Sequence, residues 1–598
     1  MRNDMNPLVG RSPFGGSLIE ETVLGTTSGN LNPENDVDVT RGQDRSMFSY
    51  VPASGCPHPK QGQVLMVLRD DSTAESAQAL LDTLGLAALA EDRHFIVLFP
   101  NPLEGGWNYE LDETRDDDAD FLVRCFAALP VSKGGVAGFN GMIYHLATSP
   151  ATSAMVASMA ATRPLDAAAI MVGAFPEDYV MPEGAAAEQV AWLYEQNEQL
   201  SARLDACDKP SVFEQLDRGV GCCSNADNPC VRFYESANGL DANELACAWE
   251  RMLSETRRWR NDVYGIYQPR VDFAARGFVA HVDDTSLQLA DGLPRTWFEY
   301  VPERLRQVTE PMPLVIYLHG INCMGLYGAE QSGWADLADR DGFACVFPDA
   351  SIEMRWNGWD DPRLPSDVAY IMALIEHMAE LVPIDRRRIY ISGFSMGSMM
   401  TNALASSYPE VFAGAVALNG PHVSYLETLD ESKAGLIAFN PRSRLKDLEP
   451  SSATTSPTRE LSNQKKLAFD YRMPFVQFAG MVDPMGMPKG RTWPLTAEDK
   501  SSWSWAKNLS YWLGYNASGE QAFDAKTPSG FASSTLEHVD PRFWVQGWES
   551  TDEGSPIYYR FVTVERLAHA VDPRAIALGW EYVKHWAREA DGSITYLG

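Results

Sequence analysis

Short, continuous apolar runs set the pattern of this chain. Residues 64–68, 95–99, 167–173, 314–318, 343–347, 414–418 and 474–478 are each apolar throughout or nearly so. Runs of this kind read as strands buried on both faces of a mostly parallel sheet, with the helix-length segments between them covering those faces. A longer strand is expected over 557–564, and helices over 398–408 and 573–590. Residues 1–42 lack periodicity and are rich in Gly, Asn, Asp, Ser and Thr, so they read as an extended arm.

The pattern occurs twice. Arg45-Ser-Met-Phe-Ser-Tyr-Val-Pro52 returns as Arg295-Thr-Trp-Phe-Glu-Tyr-Val-Pro302, and the run at 64–68 returns at 314–318. Phe95-Ile-Val-Leu-Phe-Pro-Asn101 returns as Phe343-Ala-Cys-Val-Phe-Pro-Asp349, each followed by a Trp-Asn pair, Trp107-Asn108 and Trp356-Asn357. Gly138-Phe139 returns as Gly393-Phe394. Landmarks repeated in one order predict an α/β fold of two tandem units, each a mostly parallel sheet with helices on both faces. The expected divisions are an arm at 1–42, a first unit at 43–260 and a second at 261–598.

Chemistry is concentrated in the second unit. Ile389-Tyr-Ile-Ser-Gly-Phe-Ser395-Met-Gly397 leads a strand into a sharp turn and then a helix, with a serine at the apex. A G-x-S-x-G alone is a weak signal; the strand and helix around it make it informative. A serine hydroxyl needs a base, and the base needs a carboxylate to orient it. Asp483 lies on a turn just past the apolar run 474–478, and His569 lies between the strand at 557–564 and a helix. His377, His538 and His585 fit less well, the first and last as surface or packing residues of helices. The expected oxyanion donors are the N–H groups of Met396 and of Ile321, with the Asn322 side chain as a lesser choice and His319 holding the loop. Asp367 reads as an acid at a helix start. In the first unit Asn140 stands where Ser395 does, and Arg69-Asp70 where His319-Gly320 does. An amide is not an activatable nucleophile, so that unit reads as degenerate and non-catalytic.

Charge and cysteines narrow the partners. With 49 basic and 81 acidic residues the net charge is −32, which argues against nucleic acid and anionic membrane. No run is long enough to span a bilayer, and the start Met-Arg-Asn-Asp-Met-Asn-Pro lacks the apolar core of an export signal. Nine thinly spread cysteines suit a reducing cytoplasm. Cys222-Cys223 and Cys230 lack a second pair at ligand spacing, so no metal is expected. Trp493, Trp503, Trp505, Trp512, Trp544 and Trp548 read as packing residues, or alternatively as an aromatic wall over a cleft.

The second unit resembles the polyhydroxybutyrate depolymerase and feruloyl esterase group of α/β-hydrolases. The resemblance runs through Pro313-Leu-Val-Ile-Tyr-Leu-His-Gly320, Trp356-Asn-Gly-Trp359, Asp367-Val-Ala-Tyr370, Ile384-Asp385 to Met400, Gly480-Met-Val-Asp-Pro484 and Leu567-Ala-His569. It implies hydrolysis of carboxylic esters through a serine acyl-enzyme, without metal or organic cofactor. Ser395, Asp483 and His569 would be catalytic, and Asn322, Trp356 and Trp359 would bind substrate. The expected partner is a small-molecule or oligomeric ester, crystalline polymer being disfavoured by the lack of an export signal and binding module; homo-oligomer formation stays open. The alternatives are a serine peptidase of the same fold and a ligand-binding pseudo-hydrolase without activity.

Overall fold

A computed structural model of the chain describes residues 8–11, 15–25, 43–53, 63–128, 142–162, 165–180, 190–195, 222–224, 232–236, 239–259, 266–321, 323–351, 355–358, 364–421, 471–483, 493–496, 504–518, 522–565, 567 and 569–598. Asn140, Cys230, Asn322, Trp359 and Trp503 fall outside them. The chain divides into two compact units, Met1–Val271 and Asp272–Gly598. Among the described residues, no helix is long and apolar enough to cross a membrane.

The first unit is built on ten strands: β1 (Leu8–Arg11), β2 (Ser17–Val23), β3 (Arg45–Val51), β4 (Val64–Leu68), β5 (Ile96–Pro100), β6 (Ile143–Ala147), β7 (Ala168–Met171), β8 (Val190–Leu193), β9 (Cys222–Ser224) and β10 (Arg232–Glu235). Their order is β1-β2-β3-β5-β4-β6-β7-β8-β10-β9. Strands β4 and β5 are buried at every position, as continuous apolar runs require. Two strands come from the stretch expected to be an extended arm. Ser17–Val23 alternates enough to bury Leu18, Glu21 and Val23, and it pairs with β3 along its whole length. A hairpin, β11 (Thr256–Trp259) with β12 (Ile266–Pro269), ends the unit.

The second unit carries another ten-stranded sheet, from β13 (Val279–Asp284), β14 (Arg295–Tyr300), β15 (Met312–Leu318), β16 (Ala344–Pro348), β17 (Ile384–Phe394), β18 (Gly414–Leu418), β19 (Phe475–Gly480), β20 (Thr535–Val539), β21 (Phe543–Trp548) and β22 (Tyr559–Val564). The order is β13-β14-β16-β15-β17-β18-β19-β22-β21-β20. The six strands from β16 to β22 in that order run parallel, with antiparallel pairs at both edges. On one face Leu314, Ile316 and Leu318 join the core containing Ile371, Leu374, Met400, Leu404, Trp505 and Trp512. On the other, Trp580 meets Trp334, Phe343 and Tyr390 ring to ring.

Of the late tryptophans, Trp505, Trp512 and Trp548 are packing residues, almost fully buried. The Trp512 indole N–H donates to Asn402 Oδ1 at 2.7 Å, and that of Trp548 to the Ala532 carbonyl at 2.6 Å. The last helix is shorter than expected. It covers Pro573–Val583, and the chain then turns back as a small hairpin, β23 (Trp586–Arg588) with β24 (Ile594–Tyr596). His585 therefore lies past the helix, its carbonyl accepting from Leu597 N–H at 2.6 Å.

A buried carboxylate fixes the segment after β16. Ser366 caps the helix Asp367–Leu381, and the fully buried Asp367 side chain accepts the backbone N–H groups of Ser351 (2.9 Å) and Asn357 (2.6 Å). Burial raises the Asp367 carboxyl from its ordinary 3.8 to about 6 although these hydrogen bonds oppose it. A carboxyl with a raised folded pKa takes up a proton on folding. Its contribution is fully present at pH below 3.8 and is lost as pH rises to about 6. Between those limits, the urea midpoint of the native protein should fall more steeply with rising pH than that of Asp367→Asn; equal slopes would remove this assignment.

The helix Met396–Ser407 enters hard against the end of β15. A Cβ at Gly397 would lie 2.0 Å from the Leu318 carbonyl oxygen and 2.6 Å from that of His319. Gly397→Ala must displace main chain, and a loss of about 1–3 kcal/mol in unfolding free energy is expected, measurable by denaturant titration.

Candidate active site

Three side chains from three loops meet at the C-terminal ends of neighbouring parallel strands. Ser395 follows β17 directly and holds φ 53° and ψ −118°, a region that costs a non-glycine residue about 1–3 kcal/mol. Its N–H donates to the Leu418 carbonyl at 2.9 Å, and its own carbonyl accepts from Met399 N–H at 3.0 Å. Strand and helix thus grip the apex from both sides and leave the hydroxyl projecting. Asp483 lies three residues past β19, and its carboxylate is almost fully buried. His569 lies five residues past β22, its ring mostly covered and set against Phe394 with 4.9 Å between centroids.

The hydrogen bonds run in one line. His569 Nδ1 is 2.8 Å from Asp483 Oδ2, and His569 Nε2 is 2.8 Å from Ser395 Oγ. With Nδ1–H donating to the carboxylate, the Nε2 lone pair is turned toward the serine hydroxyl, which can donate to it. That is the arrangement in which a hydroxyl proton can move to the imidazole while a carboxylate steadies the charge that forms.

The loop after β15 borders the nucleophile: a methyl placed on Gly320 would stand 3.3 Å from Ser395 Cβ. Ile321 follows it and is partly exposed. His319 holds this loop, its Nε2 accepting from Ala350 N–H at 3.0 Å and its Nδ1 lying 2.7 Å from the Gly320 carbonyl oxygen. Met396 begins the helix, so its N–H has no acceptor within that helix. Trp356 sits differently from expectation. It is only 1% exposed, and its indole N–H donates to the His319 carbonyl at 2.7 Å. A side chain so enclosed braces the loop instead of presenting a surface to substrate.

One residue of this site went unread in the sequence. Asn419, just past β18, holds φ 49° and is buried. Its Nδ2 donates to the Ala570 carbonyl at 3.0 Å, and its Oδ1 accepts from Gly480 N–H at 2.7 Å. It therefore ties the loop of His569 to the end of the strand that carries Asp483. The Met481 N–H to Val564 carbonyl bond (2.9 Å) and the Val482 N–H to Leu567 carbonyl bond (3.2 Å) lash the same two loops together. The signal available was position, at the C-terminal end of the strand beside the elbow.

Part of the second unit is similar in sequence to known proteins. Residues 299–434 match the family model described as esterase PHB depolymerase. Poly(3-hydroxyalkanoate) depolymerase C of Paucimonas lemoignei is 33% identical over 131 residues, 21% of this chain and 30% of the relative. Feruloyl esterase B of Neurospora crassa is 32% identical over 130 residues, 21% of this chain and 43% of the relative. A bifunctional acetylxylan esterase/xylanase of Neocallimastix patriciarum is 32% identical over 132 residues, 22% of this chain and 19% of the relative. The chain thus spans less than half the length of each of these relatives. Among solved structures, an acetyl xylan esterase from Aspergillus awamori aligns over 51% of this chain and 98% of its own, at 15% identity and a TM-score of 0.30. The matched residues run from the end of β14 through the elbow and past β18, so what is similar to the esterase family is this part of the second unit.

Proposed function

We propose that the unit Asp272–Gly598 is a serine esterase that cleaves carboxylic esters through an acyl-enzyme. The observation that carries this reading is the unbroken hydrogen-bonded line from Ser395 through His569 to Asp483. Ser395 Oγ attacks the ester carbonyl carbon as its proton passes to His569 Nε2, and Asp483 stabilises the imidazolium. The N–H groups of Met396 and Ile321 would receive the oxyanion, at a helix N-terminus whose partial positive charge favours it. Collapse of the tetrahedral intermediate expels the alcohol, which takes the proton from His569. Water, activated by the same imidazole, then releases the acid and restores the serine.

The substrate class follows from chemistry and from the relatives' names, which point to hydroxyalkanoate, feruloyl and acetyl esters. We take a small or oligomeric ester of one of these acids as the substrate. Nucleic acid and anionic membrane are disfavoured by the charge of −32. A cytoplasmic setting is supported by the thin spread of cysteines, two of which, Cys125 and Cys345, are buried free thiols.

We further propose that the first unit is a degenerate copy of the second. Strands β3-β5-β4-β6-β7-β8-β10-β9 follow one another as β14-β16-β15-β17-β18-β19-β22-β21 do. The registers also agree: Phe48 faces Phe99 and Phe298 faces Phe347, each pair in an antiparallel ladder. The segment after the third landmark is locked alike. Trp107 N–H donates to the Arg69 carbonyl as Trp356 does to that of His319, and Asn108 N–H donates to Asp118 as Asn357 does to Asp367.

Ser395→Ala should fold normally by circular dichroism and lower turnover of p-nitrophenyl acetate by on the order of 10⁴-fold or more; retained turnover would end the esterase reading, and hydrolysis of peptides but not esters would select the peptidase. Asn419→Ala should lower kcat on the same ester by about 10-fold to 100-fold while KM stays within a factor of a few. A kcat equal to wild type would leave Asn419 a packing residue only.

A further inference from the structure

Away from the triad, two imidazoles and a carboxylate converge at the β13 edge of the second sheet. His281 stands on β13, Glu299 on the adjacent β14, and His377 on the helix Asp367–Leu381 that packs across them. One nitrogen of each histidine and one carboxylate oxygen all lie within 4.8 Å of one another. His377 Nε2 is 2.6 Å from Glu299 Oε1, and His281 Nε2 is 3.1 Å from the same oxygen. The carboxylate is nearly buried, while both rings keep a margin of exposure through which an ion could enter.

The orientation of His281 is the telling feature. Its Nδ1 is 3.0 Å from Asp284 Oδ2, and its ring lies flat on Trp297, centroids 4.3 Å apart and planes 5° from parallel. In the tautomer whose Nδ1–H donates to Asp284, the Nε2 lone pair is turned toward Glu299. That nitrogen is buried and makes no hydrogen bond, despite its 3.1 Å distance from the carboxylate. Glu299 Oε1 is already occupied by Trp297 N–H at 2.7 Å and by His377. Facing lone pairs call for a positive charge, which a proton on Nε2 or a metal ion supplies; the second histidine brought to the same carboxylate completes a donor set that fits the metal. A carboxylate holding the far nitrogen of a histidine is also the usual support of a metal-bound imidazole.

We propose that His281, Glu299 and His377 bind one divalent transition-metal ion, with Zn²⁺ preferred, and that the ion clips β13 to the sheet. Two imidazole nitrogens and one carboxylate suit Zn²⁺ and its neighbours and not Mg²⁺ or Ca²⁺, which favour oxygen throughout. On binding, the hydrogen bond between His377 and Glu299 opens. The Nε2 proton of a neutral His377 moves to Nδ1 by way of solvent, which frees the Nε2 lone pair for the ion and leaves the ion's charge facing the carboxylate. Two further features favour a clip. Strand β13 buries none of its six residues, with Val279 and Val282 more than half exposed, so apolar packing does little to hold it. Its pairing with β14 is also interrupted between His281 and Asp284, where Asp283 takes φ 50°. The expectation of no metal came from the cysteines alone and did not weigh histidines and acids from separate elements.

The full-length chain, stripped with EDTA and desalted, should take up one Zn²⁺ per chain by calorimetry and melt at a higher temperature with Zn²⁺ than with equimolar Mg²⁺. Co²⁺ should give a visible d–d band of a site with nitrogen and oxygen ligands. His377→Ala, at a partly exposed helix position, should weaken Zn²⁺ binding at least 10-fold and abolish the rise in melting temperature. Asp284→Asn should weaken binding by about 10-fold to 100-fold. Ser395→Ala should bind Zn²⁺ as the native protein does, so the clip stands or falls apart from the esterase reading. An acidic chain collects cations loosely, so the contrast between variants decides. Zn²⁺ uptake unchanged in His377→Ala, or no saturable uptake by the native chain, would overturn the site.

Discussion

A serine held where serines do not readily go is the constraint on which the second unit depends. At φ 53° and ψ −118°, Ser395 persists only because its surroundings over-determine it. Its amide is tied to Leu418, its carbonyl starts the helix Met396–Ser407, and that helix can approach β15 only because Gly397 lacks a side chain. This closeness sets the start of the helix beside the loop at His319 and Gly320. The same requirement explains why β17 is flanked by parallel strands on both sides. Leu418 can accept from Ser395 only because β18 runs parallel in register with β17, Phe394 facing Leu418.

The remaining two side chains gain their positions from loops that hold each other. His569 and Asp483 follow strands that are neighbours in the sheet, β22 and β19, although far apart in sequence. Parallel pairing brings the two strand ends level, with Gly480 facing Val564. Backbone bonds at Met481 and Val482 then close the loops onto one another, and Asn419 joins both from β18. The imidazole is thus oriented by the sheet as a whole rather than by its own short segment.

This division explains what the sequence made readable. The elbow was legible because its cause is local: strand, glycine, serine, glycine and helix occupy one run of residues. Asp483 and His569 were legible because residues past the C-terminal end of a parallel strand face the same rim. Asn419 was not, because an asparagine after a strand carries no chemistry until its two partners, 61 and 151 positions away, are known. Trp356 was misread for a related reason, since a tryptophan beside a predicted site looks the same whether it faces ligand or braces a loop. The end of the last helix was overrun because residues 584–590 remain compatible with a helix, and only the pairing of β23 with β24 takes them out of it. Strand β2 was hidden in a polar stretch whose three buried positions alternate too sparsely to stand out.

The two sheets also treat one edge position differently, and the difference bears on the histidine cluster. In the first, Glu21 of β2 stands opposite Met47, and its carboxylate accepts a hydrogen bond from Ser49. In the second, His281 of β13 stands opposite Trp297 and faces Glu299, which takes the position of Ser49. A hydroxyl and a carboxylate satisfy each other without help, because one donates and the other accepts. A neutral imidazole whose proton is committed to Asp284 has only a lone pair for the carboxylate. At the second edge the proposed metal ion would supply the positive charge that this tautomer lacks. His377 adds a further nitrogen from a helix position where the first unit has Ala128, so the added polarity comes from two elements at once. Strand β2, by contrast, lies between β1 and β3 and buries Leu18 and Val23, so its hold comes from pairing on both sides and apolar contact. Strand β13 pairs on one side only and buries no side chain, so its attachment leans more on polar groups, and these are the groups gathered at Glu299.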